Sequence, residues 1–271
     1  MKSLKSAGFE RPVKVASIDL DGTLLDPHKN ISLANQQAVG ALRSSGFEIV
    51  LTTGRILQHT LVYYRMLGLH GPVVSSDGAL VRVPGRKAIQ DIVIDREVVG
   101  IILQAAKAQK ITALSFRHAG VATTSKYDWN DNIDRHRREL PHHYRNSSVS
   151  TVVKSAVHKV LLFAERERLQ DFESSLPPSV VTQTNRIRNW ETLEFTAPGI
   201  DKVAGLACMF EPEEVTFFGD GNNDAGVLAW AHCGIAMHHG SERAREAADY
   251  VAPESDPSCN FAEAVRTILQ V

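Results

Sequence analysis

Two carboxylates, Asp19 and Asp21, follow a short apolar run that is β-branched at Val13, Val15 and Ile18, and Gly22 and Thr23 come directly after them. The apolar run reads as a buried strand. Acids at the end of such a strand lie at the carboxyl edge of a sheet, where open α/β folds bind their ligands. A single Asp there is the ordinary N-cap of a helix. Two acids followed by Gly and Thr ask instead for a metal and an anion. A second acidic group, Asp220 and Asp224, follows the apolar run Val215 to Phe218, so Asp220 stands at the sheet's carboxyl edge and can face Asp19. Carboxylates, a backbone carbonyl and waters make an oxygen-only set that suits Mg2+. No His or Cys stands at ligand spacing with these acids, and the adjacent His238 and His239 chelate poorly, so zinc is not expected.

The elements that must position these acids alternate in type. A helix is expected over residues 31–46, with Ser32 as N-cap and Gly46 as stop. A strand follows from Phe47 to Leu51, a helix from Ile56 to Leu67 and a third strand at Pro72 to Ser75. Strands separated by helices of this length argue for a doubly wound parallel sheet with helices on both faces. Turn residues around Val83 to Arg86 mark a crossing into another domain. The insert reads as α+β: a helix at 97–109, strands at 113–117 and 121–125, a strand at 157–163, a helix at 165–176, and strands at 180–184 and 192–196. The division expected is a core from residues 1–83 and 191–271 with an insert at 84–190, a normal domain size.

Bulk properties exclude several classes. A chain of 271 residues with 43% apolar content suits one large or two modest globular domains. The first dozen residues have no apolar core of signal-peptide length, and no apolar run is long enough to cross a bilayer. Cys208, Cys233 and Cys259, an odd count without C-x-x-C spacing, read as reduced thiols of a cytoplasmic protein. The net charge of −1 conceals an asymmetry: residues 84–190 carry 17 Lys and Arg against 11 Asp and Glu, and the remainder 13 against 20. A basic insert beside an acidic, metal-loaded floor suits a phosphorylated substrate. No strongly basic domain with interleaved aromatics is present, so neither nucleic acid nor membrane is an expected partner.

Four segments together, Val15 to Asp26, Val50 to Arg55, Gly199 to Lys202 and Phe217 to Asp224, resemble in order the four motifs of the haloacid dehalogenase superfamily, and most closely its Cof-type phosphatases. The resemblance implies a Rossmann-like core with an inserted cap domain. It implies a Mg2+-dependent phosphatase of a small phosphorylated metabolite, such as a sugar phosphate, in which Asp19 attacks phosphorus to form an aspartyl-phosphate. Asp21 would protonate the leaving oxygen and then activate water. Lys202 would neutralise charge beside Asp19, and Thr53 would offer its hydroxyl to a phosphate oxygen. Gly54, Arg55 and Asn223 would complete substrate binding, although a solvated surface arginine is an equal reading of Arg55. Asp19, the backbone carbonyl of Asp21, and Asp220 would hold the metal, with Asp224 ordering water and Lys202.

The same motifs serve phosphomutases and phosphotransferases, and the fold could also carry a non-catalytic phosphate-binding protein; either a monomer or a homodimer is compatible. Two positions depart from the family pattern. Asp77 precedes Gly78 where relatives usually carry Asn, and His238 and His239 replace the usual Gly-Asn. Tyr127 to Asn132, Arg135 to Arg138, and His142 with His143 are candidate substrate contacts in the insert; an exposed polar loop is an equal reading of them.

Overall fold

The computed structural model describes residues 14–125, 144–182, 185–188 and 192–269. Strand β1, Val15–Ile18, is buried at every position. Val15 packs with Val50, Val74 and Phe217, whereas Ala16 and Ile18 pack with Leu51, Val73 and Phe218 in a separate cluster. Successive strand side chains point to opposite faces, so two clusters on one strand mean an apolar layer on each side of the sheet.

On one face lie α1 (Leu33–Ser44), α2 (Leu57–Met66) and α10 (Asn260–Leu269). On the other lie α7 (Lys202–Ala207), α8 (Ala225–Trp230) and α9 (Glu242–Ala247). Helix α1 starts where expected, with the Ser32 hydroxyl accepting from the Asn35 amide.

The remaining strands of this sheet are β2 (Glu48–Thr52), β3 (Val73–Ser75), β4 (Leu80–Arg82), β5 (Ala88–Asp91), β12 (Val215–Gly219), β13 (Cys233–Ala236) and β14 (Tyr250–Val251). Their order is β14-β13-β12-β1-β2-β3-β4-β5. All neighbours from β14 to β3 run parallel. The last two strands do not follow the all-parallel expectation: β4 and β5 turn back antiparallel. The connections there are only a few residues long, too short for a parallel crossover.

Residues 92–200 form a second compact unit. Its sheet runs β10 (Asn185–Arg188), β11 (Thr192–Thr196), β9 (Val157–Phe163), β6 (Thr112–Arg117), β7 (Gly120–Ser125), β8 (Tyr144–Asn146). Helices α3 (Arg96–Ala108), α4 (Val149–Val152), α5 (Arg166–Ser175) and α6 (Pro178–Thr182) supply Ile102, Val152, Phe172 and Val180 to an apolar cluster with Val160 and Phe195.

The crossings between units fall at 91/92 and 200/201, not at 83/84 and 190/191. The reason is hydrogen bonding: β5 completes the first sheet and β11 is interior to the second. The expected strand at 180–184 is also corrected, because 178–182 is helical. Pro178 occupies the first helical position, where its fixed φ and missing N–H suit a helix start, and this outweighs the strand preference of Val180 and Val181. Among the described residues no helix is long and apolar enough to cross a membrane.

Candidate active site

Parallel register builds the site. Ile18 pairs with both Leu51 and Phe218, so the residues immediately after these three strands emerge together at one carboxyl edge. Asp19 is one of them, and its amide still donates to the Phe218 carbonyl at 2.9 Å. Asp220 follows β12 by one residue, and Thr53 follows β2. The Thr52 hydroxyl bonds to Ser17 within the sheet at 2.8 Å, which leaves Thr53 as the hydroxyl at the edge. Thr53 is buried, and its Oγ1 accepts from the Arg55 amide at 3.2 Å. Gly54 lies between them.

Lys202 links three motifs. It begins α7, whose N-cap is Asp201, and is almost wholly buried. Its ammonium donates to Asp19 Oδ1 at 2.7 Å and to Asp224 Oδ1 at 2.6 Å. The other oxygen of Asp224 accepts from the backbone amides of Asp220 and Gly221 at 2.9 and 2.8 Å. Asp224 therefore ties the loop after β12 to Lys202 with both oxygens. Asp220 Oδ1 accepts from the Thr23 hydroxyl at 2.8 Å.

Asp19, Asp220 and Asp224 each offer an oxygen within 4.8 Å of the others. Burial pushes the Asp19 carboxyl well above the usual carboxylate range; Lys202 opposes the rise, and the charges of Asp224 and Asp220 add to it. Burial, together with Asp224, pushes Asp220 up to about 7 against the pull of Thr23 and Lys202. Burial acts to lower the Lys202 ammonium, but Asp19 and Asp224 outweigh it and hold it well above its usual range. Carboxylates strained in this direction are short of positive charge. An oxygen-donor cation fits them, and the set contains no nitrogen or sulfur donor.

Strand β1 ends at Ile18, before either acid. The chain turns at Gly22, φ 86°, and the Asp21 carboxylate is outside the three-acid cluster. Arg55 grips it from Nε and Nη2, both at 2.6 Å, and Lys29 Nζ adds a third bond at 2.6 Å. Burial tends to raise this carboxyl, but Arg55 and Lys29 prevail and hold it well below the usual range.

Arg55 is accordingly turned to Asp21 and not presented as a substrate arm; its guanidinium also lies over the Tyr63 ring, 5.4 Å from the centroid. Tyr63 in turn donates from its hydroxyl to the Lys29 carbonyl at 3.1 Å. Lys29 and Tyr63 are not apparent as site residues in the sequence, because a lysine in a polar loop and a tyrosine on an amphipathic helix carry no local signal. Thr23 does carry one, its place directly after Gly22.

Asn223 donates from its amide to Asp77 Oδ1 at 2.9 Å. His238 lies 3.9 Å from Glu254, and His239 Nδ1 lies 3.1 Å from the Asn260 side chain; neither belongs to the three-acid cluster. The expected contacts at 127–132, 135–138, 142 and 143 lie outside the described residues.

The Gly22 position tests the packing. A Cβ there would stand 2.3 Å from Asp220 Oδ2, in a backbone conformation that costs L-residues about 1–2 kcal/mol. Gly22→Ala is expected to lower stability by at least that amount and to cut activity more than tenfold by displacing Asp220. Thermal melts and turnover of the purified variant check both, and wild-type values in either would contradict the crowding.

Residues 16–258 match the haloacid dehalogenase-like hydrolase family. The 5-amino-6-(5-phospho-D-ribitylamino)uracil phosphatase YitU of Bacillus subtilis is 26% identical over 254 residues, covering 88% of this chain and 91% of that protein. A phosphoglycolate phosphatase of Methanosarcina mazei is 24% identical, covering 89% and 91%. The crystal structure of a haloacid dehalogenase-like hydrolase from Bacteroides thetaiotaomicron superposes with a TM-score of 0.81 at 25% identity, covering 94% of this chain and 99% of that one.

Proposed function

The chain belongs to the haloacid dehalogenase-like hydrolase family and is a phosphatase, and from that premise we propose that it hydrolyses a small phosphorylated metabolite through an aspartyl-phosphate with Mg2+ bound. The observation that carries this reading is Lys202 held between Asp19 and Asp224 at 2.7 and 2.6 Å, with Asp220 completing a three-acid cluster.

Asp19 is the nucleophile in this reading. Its Oδ1 is fixed by Lys202, so the direction of its other oxygen is set before substrate arrives, which supplies the positioning that such displacements need. Asp19, Asp220 and the Asp21 carbonyl would hold the cation, with Asp224 anchoring Lys202 and the loop after β12. Mg2+, when bound, supplies the positive charge that the transferring phosphoryl group and these acids lack. Thr53 stands at the edge to donate to a phosphate oxygen. Asp21, held ionised by Arg55 and Lys29, is in the form that takes a proton from the attacking water. To protonate the leaving oxygen it must first exchange one of those cations for a proton. Three free cysteines among the described residues agree with a reducing cytoplasm.

Release of inorganic phosphate from a panel of phosphorylated sugars, nucleotides and cofactor precursors tests the reading. Turnover is expected with Mg2+ and is expected to fall to background with chelator, returning on readdition. Equal release in chelator would remove the metal from the reaction. Transfer to an acceptor without net release would place the protein among the phosphotransferases.

A further inference from the structure

Ser76, Asp77 and Gly78 follow β3 with φ values of 50°, 53° and 93°. Two of these consecutive left-handed residues carry a Cβ, a strained arrangement that persists only where surrounding contacts impose it. Here the Ser76 amide donates to the Arg55 carbonyl at 2.8 Å and the Asp77 amide to the Thr53 carbonyl at 3.1 Å. Gly78 is pressed so closely on α7 that a Cβ would stand 2.0 Å from the Asp201 carbonyl oxygen. The result is a fully buried Asp77 whose carboxylate meets Asn223 and whose charge acts on Lys202 alongside Asp19 and Asp224.

That charge changes the balance of the site. The carboxylates are Asp19, Asp21, Asp77, Asp220 and Asp224, and the cations paired with them are Lys29, Arg55 and Lys202. One divalent cation brings this set to neutrality; without Asp77 it would be net positive. An ionised carboxylate also only accepts hydrogen bonds, so it turns the NH2 of Asn223 toward itself.

We propose that Asp77 is a positioning residue that orients Asn223 and weakens the hold of the metal-loaded site on phosphate, so that the product leaves. The proposal rests on the phosphatase reading above. Asp77→Asn keeps an oxygen acceptor for Asn223 and removes the charge, placing an NH2 where the second oxygen stood. A unit charge about 10–12 Å from an anion, in an effective dielectric near 20, changes binding on the order of tenfold.

The experiment is calorimetric titration of Mg2+-loaded protein with inorganic phosphate, alongside inhibition by phosphate in turnover. Asp77→Asn is expected to bind phosphate about tenfold more tightly and to be inhibited at correspondingly lower phosphate. Asp77→Ser removes the same charge with a smaller side chain and gives the same comparison if the first variant folds poorly. Asn223→Ala breaks the hydrogen bond, keeps the charge, and is expected not to tighten binding. Phosphate affinity within twofold of wild type, or weaker, in both Asp77 variants overturns the proposal. Wild-type protein that neither binds phosphate nor hydrolyses any ester overturns the phosphatase reading itself. Active wild type with unchanged Asp77 variants overturns only the role of Asp77.

Discussion

Asp19→Asn abolishes turnover, with kcat falling by on the order of ten-thousandfold or more, as expected when a covalent nucleophile is replaced by a group that cannot attack. The substitution is nearly isosteric, and its Oδ1 still accepts from Lys202 across the 2.7 Å now occupied by the carboxylate. It also removes one charge from a buried group that Asp224 and Asp220 already crowd. Metal-free stability is therefore expected to be unchanged or higher, which separates lost chemistry from lost folding. Turnover of the purified variant and acid-quenched trapping of protein-bound phosphate check the result. Residual activity above about one per cent, or a phosphorylated Asp19→Asn chain, would remove Asp19 from the role of nucleophile.

Lys202→Met is expected to cost about 3–5 kcal/mol of stability at neutral pH, the usual consequence of deleting one partner of a buried ionic group. Asp19 and Asp224 each lose a charge-assisted bond at 2.7 and 2.6 Å, and both are buried. Asp224 would also loosen its grip on the Asp220 and Gly221 amides, so activity is expected to fall with stability. Mg2+ should recover part of the stability by supplying the missing charge, whereas Lys202→Arg should not restore activity, because a planar fork cannot replace a compact ammonium between two carboxylates. Denaturant unfolding with and without Mg2+ measures this. A loss below about 1 kcal/mol would mean that the pairing contributes little.

Legibility in the sequence depends on how local each signal is. Strand β1, the acids after it and the second acidic loop are readable because a buried parallel strand is a short apolar run, and the residues at its end must stand at the carboxyl edge. The start of α1 at Ser32 is a local capping event and is equally plain. By contrast, the clamp on Asp21 depends on where a glycine turn sends the chain and on a loop that brings Lys29 back to it, neither of which spacing encodes. Residues 180–184 suggest a strand through their β-branched side chains, although Pro178 just before them starts a helix that runs to Thr182. The turn-back of β4 and β5 is invisible because strands of three and four residues have too little pattern. Asp77 is visible as a departure, but not its pairing with Asn223, 146 residues away.

Strand β1 lies between β2, which begins thirty residues after it ends, and β12, which begins nearly two hundred residues later. During synthesis at about 5–20 residues per second, one edge of the buried Val15–Ile18 segment therefore waits on the order of 10–40 s for its partner. The inserted residues 92–200 lengthen that interval, yet they can complete their own sheet as soon as they leave the ribosome. The nascent chain thus carries a finished second unit and an open apolar strand edge at once. Its vulnerability to misassociation is concentrated in the interval before residue 219 emerges.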